Sequence, residues 1–290
     1  ETGAVLEQLG RALPPVPALA TSVATAALLL AGDESTNRDL LPDIASGECI
    51  ATVCWADRHG WSAPGVTADA GLLSGTAEYV IDGESADLFV VLAGDGDSVT
   101  VHTVESATDG VVVTPLPVVD PSRPLSRVTF DEVPSRTIPA GPDLAGRLRT
   151  LAWALLSAEQ VGGAAAALEL TVEYTKSRKQ FGRTIGSFQA LKHRMADMYA
   201  LGESSLSISR AAVAAAVADA PDADKLAAAA HVHCSEAFAH VAAEGIQLHG
   251  GIGITAEHDI SLHFKRAHGS AQLFGQPHEV ITELAADVIS

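Results

Sequence analysis

The sequence is poor in cysteine, in aromatic residues and in positive charge. Its three cysteines, Cys49, Cys54 and Cys234, are too few and too scattered for a disulfide framework. Aromatic residues make up only 4% of the chain, which favours close-packed helices over an aromatic-rich β-sandwich. Lysine and arginine number 18 against 36 acidic residues. This balance argues against a nucleic-acid-binding protein, because phosphate binding requires a local excess of positive charge.

The sequence predicts neither a signal peptide nor a membrane span. The first ten residues contain neither a basic region nor an apolar run. The most apolar stretch, residues 16–32, is rich in alanine and includes two threonines and a serine. It is too short and too weakly hydrophobic to span a bilayer. We therefore expect a cytoplasmic protein with no membrane segment, in which residues 16–32 form a buried helix.

The composition and the periodicity of the sequence change twice along the chain. Residues 1–47 show helical periodicity, interrupted by a proline-rich break. Residues 48–139 contain short β-branched runs separated by glycine, aspartate and proline, which predicts the strands of one antiparallel sheet or barrel. Residues 140–290 return to apolar positions at three- and four-residue spacing, which predicts a four-helix bundle. Its predicted helices cover residues 144–181, about 188–218, about 222–248 and about 279–290. The predicted fold class is α+β, with three domains in this order.

A basic, glycine-containing segment follows the first long helix of the predicted bundle. It reads SRKQFGRTIG from Ser177 to Gly186. Its cations Arg178, Lys179 and Arg183 could pair with a pyrophosphate through charge-assisted hydrogen bonds. They could equally complement the negative end of the helix dipole, with a glycine as the helix cap.

A second unusual segment, QLHGGIGIT, begins at Gln247 after another long helical stretch. Three glycines in four residues allow a ligand to approach the backbone closely, or allow a tight turn that ends the helix. The segment is not a dinucleotide-binding fingerprint, because it follows a helix rather than a strand.

The eleven histidines do not predict a metal site. The densest group contains His231 and His233, and side chains two residues apart on a helix do not face each other. We expect no bound metal.

Two long segments occur together and in order, and they carry a family resemblance. They are TVEYTKSRKQFGRTIGSFQALKHRMADMY, from Thr171, and EGIQLHGGIGITAEHDISLHFKRA, from Glu244. With the helix–sheet–bundle order and the SRVTFDEVPS segment near the end of the β region, they resemble the acyl-CoA dehydrogenase family. The resemblance is strong over the C-terminal half and loose over the first half.

The resemblance implies an FAD-dependent enzyme that desaturates an acyl-CoA substrate. The flavin accepts a hydride from the β-carbon while a carboxylate removes the α-proton, and an electron-transfer flavoprotein is the implied acceptor. In the family's oligomers, two segments of one subunit contact the FAD held mainly by its neighbour. The matching cofactor-binding positions here are Arg178, Gln180 and Phe181 on the pyrophosphate and adenosine side, and Gln247, Gly250 and Gly251 along the same cofactor.

The family's catalytic glutamate has no equivalent in this sequence. Counting without gaps from Arg266 puts Gly275 at its position, and a glycine has no side chain that accepts a proton. The base position that some members use on the first bundle helix matches Ala152. We therefore expect no catalytic residue in this chain, although Glu159 or Glu257 could serve as a relocated base.

The first half departs from the family in the same direction. Residues 53–64, VCWADRHGWSAP, stand where a flavin-binding loop is expected. The segment from Tyr79 to Gly83 lacks the tryptophan that covers the flavin and the threonine that bonds it. The N-terminal helical region is also shorter than is usual in the family. The losses fall where a subunit holds its own flavin and substrate, whereas the retained motifs face a neighbour's flavin.

With these losses the chain resembles the smaller, degenerate subunit of the heteromeric acyl-CoA dehydrogenases of actinobacteria, which act on steroid side-chain thioesters. A catalytic partner subunit, in a heterotetramer, would supply the glutamate and the flavin loop. Two alternatives stay open. One is a self-sufficient homo-oligomeric dehydrogenase with a relocated base, and the other is a flavin-free scaffold subunit.

Overall fold

A computed structural model of the protein describes residues 1–95, 98–141 and 143–289. Helices occupy both ends of the chain and strands occupy its middle. The helices are α1 (Thr2–Ala12), α2 (Ala18–Ala31), α3 (Glu34–Ser46), α4 (Leu144–Ser177), α5 (Gln189–Val217), α6 (Ala223–His249), α7 (Ile260–Ser270) and α8 (Pro277–Ile289). The strands are β1 (Ala51–Cys54), β2 (Ala56–Asp57), β3 (Gly60–Pro64), β4 (Val66–Asp69), β5 (Leu72–Ile81), β6 (Leu88–Asp95), β7 (Ser98–Glu105), β8 (Val111–Pro115), β9 (Leu125–Pro134), β10 (Arg136–Ile138), β11 (Lys179–Gln180) and β12 (Arg183–Thr184).

The chain forms two compact units. One consists of Pro15–Ala152, and the other combines Glu1–Pro14 with Trp153–Ser290. The first helix therefore belongs to the same unit as the C-terminal helices, a long-range association that sequence texture does not reveal. The three-domain division at residues 47 and 139 stays a prediction.

The unit Pro15–Ala152 is built on a mixed sheet. Its main path runs β10–β7–β6–β4–β5–β9–β8, and β1 pairs with β6. The prediction of a purely antiparallel sheet is wrong for two pairings, because β6 runs parallel to both β1 and β4. Apolar alternation reports which face of a strand is buried but not the direction of its neighbour. The core on one face includes the rings of Phe89 and Phe130, which meet edge to face at 6.3 Å.

Local signals define the helices of this unit. The carboxylate of Asp33 accepts the backbone N–H of Thr36 and caps the start of α3. Gly32 and Gly47 end α2 and α3 in the left-handed conformation, which glycine adopts without a Cβ clash. Residues 16–32 are therefore largely helical, as predicted, and most of the apolar face of α2 is buried.

The second unit is helical and is organised around α6. This helix packs against α5, α7 and α8. Its Phe238 and Val241 share a core with Ala164 and Ala167 of α4. The sequence predicted the positions of α4, α5, α6 and α8 but not α7, whose buried residues include the polar His263 and Arg266. Polar residues at buried positions weaken the apolar periodicity on which helix prediction depends.

Helix α1 approaches α4 very closely through glycine. A Cβ atom at Gly162 would lie 1.8 Å from the carbonyl oxygen of Glu7, and one at Gly10 would lie 2.0 Å from that of Glu159. The two backbones are therefore in direct contact, an arrangement that no residue with a side chain permits at these positions.

Helix α4 is long and apolar enough to cross a membrane by length and composition alone. However, 83% of its most apolar window is buried inside the protein. Such burial is typical of a core helix. Among the described residues, no other helix meets these criteria.

Candidate functional site

The basic segment after α4 folds as a tight hairpin. β11 pairs with β12 so that Lys179 is opposite Thr184 and Gln180 is opposite Arg183. The two residues between them, Phe181 and Gly182, both have positive φ angles, of 53° and 79°. This is a type I′ turn, whose twist matches that of the paired strands. The left-handed conformation costs Phe181 about 1 kcal/mol, a cost that Gly182 does not carry.

The hairpin, defined as Arg178–Thr184, presents its predicted contact residues outward. Arg178, Gln180 and Phe181 are all exposed, and the Phe181 side chain is 90% accessible at the tip. In the described part of the chain, the Arg178 guanidinium has no ion pair or hydrogen-bond partner. The Arg178 carbonyl accepts the backbone N–H of Ile185, which closes the hairpin at its base. A hydrogen-bonded hairpin therefore carries a guanidinium group that is available to a ligand.

Phe188 braces the hairpin from below. The guanidinium carbon of Arg183 lies 4.0 Å from the centre of the Phe188 ring, a cation–π contact. The ring of Phe181 meets the same ring edge to face at 6.1 Å. Arg183 and Phe181 are thus held on one aromatic residue at the start of α5.

The second predicted motif forms the end of α6 and a short 3₁₀ segment, Gly250–Ile254, here called the glycine turn. Gly250 has a φ of 63°, and neither it nor Gly251 has any atom within 4 Å of a Cβ position. Gln247, Gly250 and Gly251 are all exposed. The turn therefore offers open backbone to a ligand, whereas Gly253 is packed tightly against Ile246 and His249.

The structure brings the two motifs together through residues that sequence reasoning did not select. Tyr174, one turn before Arg178, stacks on His249 with ring centres 4.4 Å apart. His249 directly precedes Gly250. In the sequence, the only feature that could have indicated these two residues was that each lies beside one of the motifs. That feature does not reveal that the two rings are in contact, because the contact forms only in the folded chain. The ends of α4 and α6 are therefore neighbours, and both motifs lie at that end of the helical unit.

The turn between α7 and α8, Ala271–Gln276, contains the predicted base position and is held by two hydrogen bonds. Trp153 donates its indole N–H to the carbonyl oxygen of Phe274 at 2.9 Å. His231 donates from Nε2 to the carbonyl oxygen of Gly275 at 2.8 Å. Gly275 has a φ of 110°, which a residue with a side chain rarely adopts. The conformation at position 275 therefore favours glycine over any residue that carries a side chain.

The burial of His231 favours its neutral form. Its ring is fully buried and stacks on Trp153 with centres 5.8 Å apart. Desolvation lowers the pKa of His231 to about 4, although the hydrogen bond to Gly275 opposes the shift. His231 therefore acts as a neutral hydrogen-bond donor to the turn.

Comparison with known proteins decides the family. The protein-family model described as "Acyl-CoA dehydrogenase, C-terminal domain" matches residues 150–289. The acyl-CoA dehydrogenase IpdE2 of Mycobacterium tuberculosis is 43% identical over 286 residues, which cover 98% of this chain and 76% of the relative. The chain belongs to the acyl-CoA dehydrogenase family.

Two solved structures agree with this assignment. A variant of the Tcur3481–Tcur3483 steroid ACAD superimposes with a TM-score of 0.92 and 30% identity, over 100% of this chain and 81% of that chain. The ChsE4–ChsE5 complex of Mycobacterium tuberculosis gives a TM-score of 0.89 and 28% identity, over 100% and 80%. The predicted family and fold are confirmed, including the order of helices, sheet and helical bundle.

The two carboxylates considered as relocated bases have different surroundings. Glu159 is buried, and Arg266 donates to it at 3.1 Å in an ion pair that is about 95% buried on both sides. Glu257 is exposed beyond the glycine turn. A carboxylate committed to a buried arginine is poorly suited to accept a proton from a substrate. Ala152 is fully buried and carries no proton acceptor.

We expect Glu159→Gln to act on stability. The substitution removes the charged partner of Arg266 from a buried site and should lower the free energy of unfolding by about 3 kcal/mol. Urea unfolding followed by circular dichroism measures this. Glu257→Gln is the control, because Glu257 is exposed, and it should change stability by less than about 0.5 kcal/mol. Equal stability of the two variants would contradict a structural role for Glu159.

The two segments that correspond to the flavin-binding segments of the family have different residues in this chain. Tyr79 stands at the position expected for the covering tryptophan, with a φ of 55° and 37% of its surface exposed. Residues 53–64 contain β2 and β3, and Trp55 there meets Trp61 edge to face at 6.1 Å. Within the described residues, no three histidine, cysteine, aspartate or glutamate side chains are grouped so as to hold a metal ion.

Proposed function

We propose that this chain is the non-catalytic subunit of a heteromeric, FAD-dependent acyl-CoA dehydrogenase. A catalytic partner subunit holds the FAD and supplies the base, and this chain contributes a contact surface to that FAD across the interface. One observation carries the proposal. The base position is a positive-φ glycine whose carbonyl oxygen accepts a hydrogen bond from His231, while Arg178 is exposed at the start of a hydrogen-bonded hairpin and has no ion-pair partner among the described residues.

The residues of this surface fit the adenosine diphosphate half of FAD. Pyrophosphate favours guanidinium groups, which bond two of its oxygens at once. Arg178 offers such a group in a protein of net charge -18. Gln180 offers amide donors and acceptors, and Phe181 offers an exposed ring of the kind that packs against a nucleoside. Gln247 and the open backbone of Gly250 and Gly251 would line the same ligand.

The remaining chemistry belongs to the complex as a whole. When bound, FAD accepts the hydride from the β-carbon of the acyl-CoA substrate. In this chain Arg178 would neutralise the pyrophosphate charge, and the α7–α8 turn would contribute no proton acceptor. The partner subunit would remove the α-proton. We place the assembly in the cytoplasm as a heterotetramer, with an electron-transfer flavoprotein as acceptor.

Two of the similar structures support a paired subunit and a substrate class. One is named as a complex of ChsE4 with ChsE5, and the other is called a steroid ACAD. On this basis we propose that the substrate is the CoA thioester of a steroid side chain. The alternative of a self-sufficient enzyme is less well supported, because Glu159 is committed to Arg266.

Flavin absorbance tests the proposal directly. We expect the chain to be colourless when purified alone and yellow when co-expressed with its catalytic subunit. Arg178→Ala in that complex should weaken FAD retention about 10- to 100-fold, the effect of losing a hydrogen bond to a charged group. Arg38→Ala is the matched control, because it removes the same charge from an exposed position on α3.

Two results would argue against the proposal. Stoichiometric FAD on the chain alone, with desaturation of an acyl-CoA, would indicate a self-sufficient enzyme. A complex whose FAD retention is insensitive to Arg178→Ala would indicate a scaffold subunit that does not touch the flavin.

A further inference from the structure

Three aromatic side chains, Tyr174, His249 and His258, lie between the hairpin and the glycine turn. Tyr174 and His249 are stacked, with ring centres 4.4 Å apart and planes 25° apart. His258, in the segment before α7, lies 4.4 Å from His249 and meets Tyr174 edge to face at 6.1 Å. The three rings form one cluster that joins the end of α4 to the end of α6.

His249 is held in place from several sides. Its Nδ1 donates to the carbonyl oxygen of Gly245 at 2.7 Å, and a carbonyl only accepts, so Nδ1 carries the proton. The side chain is 3% exposed. A Cβ atom at Gly253 would lie 2.9 Å from the Cβ of His249, so the glycine turn folds back onto this residue. Burial lowers the pKa of His249, the hydrogen bond to Gly245 opposes this shift, and the neighbouring His258 adds to it.

Tyr174 connects the same cluster to the hairpin. Its carbonyl oxygen accepts the backbone N–H of Arg178 at 2.9 Å. Gly186, just beyond the hairpin, packs against Thr175, where a Cβ atom would lie 3.0 Å from the carbonyl oxygen. The hairpin is therefore anchored on the turn of α4 that carries Tyr174, and the glycine turn is anchored on His249.

We propose that the Tyr174–His249 stack is the joint that makes the two motifs one flavin-contact surface, and that Tyr174 and His249 are its positioning residues. This inference rests on the proposed function and deepens it. Neither ring has to touch the cofactor. Their contact sets the position of the Arg178 backbone relative to that of Gly250. A contact that couples two sites acts in both directions, so loosening either motif loosens the other.

Hydrogen exchange on the chain without FAD tests the coupling. Tyr174→Leu should speed exchange at the backbone amides of Gly250 and Thr255. These amides donate hydrogen bonds to the carbonyl oxygens of Gln247 and Ile252, respectively. His249→Leu should speed exchange at the amides of Arg178 and Ile185 in the hairpin. An aromatic pair contributes enough for a change of about three- to tenfold in each case. His249→Phe, which keeps a flat ring, should restore the hairpin rates.

Matched substitutions separate the joint from general destabilisation. Tyr199→Leu changes an exposed tyrosine of α5, and His233→Leu changes a histidine of α6 whose contact is with Ser204. Both controls should leave the two motifs unchanged. The proposal is overturned if each substitution affects only its own motif, or if His249→Phe behaves like His249→Leu.

FAD retention in the complex with the catalytic subunit gives the second readout. Tyr174→Leu and His249→Leu should each weaken retention about three- to tenfold, and the double variant should be no weaker than the worse single variant. If Arg178→Ala weakens retention but neither joint variant does, the joint is overturned and the proposed function stands. If the exchange rates are coupled but Arg178→Ala has no effect on FAD, the proposed function fails and the coupling between the motifs stands.

Discussion

Gly162→Ala is expected to destabilise the protein by about 3–5 kcal/mol. The new Cβ would lie 1.8 Å from the carbonyl oxygen of Glu7 and 3.1 Å from the backbone nitrogen of Arg11. These are backbone atoms of α1, which cannot turn away as a side chain can. The whole of α1 must shift away from α4, and its packing against that helix is lost. Urea unfolding of the variant and the parent chain measures the difference.

A second glycine in the same unit provides the matched control. Gly202 lies within α5, has no atom within 4 Å of a Cβ position and has ordinary helical geometry. Gly202→Ala should therefore stabilise the protein by about 0.5–1 kcal/mol, because alanine loses less backbone entropy on folding. Equal effects at both glycines would contradict the close contact of α1 with α4. Gly10→Ala should resemble Gly162→Ala, since it forces the same displacement of α1.

The second large effect is a loss of stability in acid. Burial lowers the pKa of both His231 and His263 to about 4. In the unfolded chain these groups titrate near pH 6.5, so between pH 6.5 and pH 4 the unfolded state binds more protons than the folded state. The stabilisation from the neutral rings is complete above pH 6.5 and is lost as the pH falls. The two residues together should cost on the order of 4 kcal/mol at pH 5.

Urea unfolding at pH 7.5, 6 and 5 tests this expectation, and one substitution assigns it. His231→Gln keeps an N–H donor near the carbonyl of Gly275 but does not titrate, so the pH dependence should fall by about half. The groups that face His263 are Asp259, which raises its pKa, and Arg266, which lowers it. An NMR titration that placed the His231 ring near pH 6.5 would contradict the prediction.

The two predictions concern the elements that hold the proposed surface in place. The close contact of α1 with α4 and the neutral His231 beneath the α7–α8 turn both stabilise the helical unit that carries the hairpin and the glycine turn. A loss of FAD in any variant of that surface must therefore be compared with a stability measurement at the same pH. The matched controls make that comparison possible.

The sequence by itself determined much of this protein. Residue periodicity placed most of the helices and strands, because burial of one face imposes a repeat of 3.6 or 2 residues. The joint occurrence of two long motifs identified the acyl-CoA dehydrogenase family. Counting residues from Arg266 showed that position 275, where the family has its catalytic glutamate, is a glycine. These features depend on local order along the chain, so they need no knowledge of the fold.

Other features depended on the tertiary structure. Helix α7 was missed because His263 and Arg266 interrupt its apolar face, and the parallel pairing of β6 with β1 and β4 leaves no mark on alternation. Glu159 looked available as a base until Arg266, 107 residues away, was seen beside it. Tyr174 and His249 are 75 residues apart in the sequence, and their rings meet only because α4 packs against α6. Contacts between residues distant in sequence are decided by how the elements pack, and a single sequence does not record them.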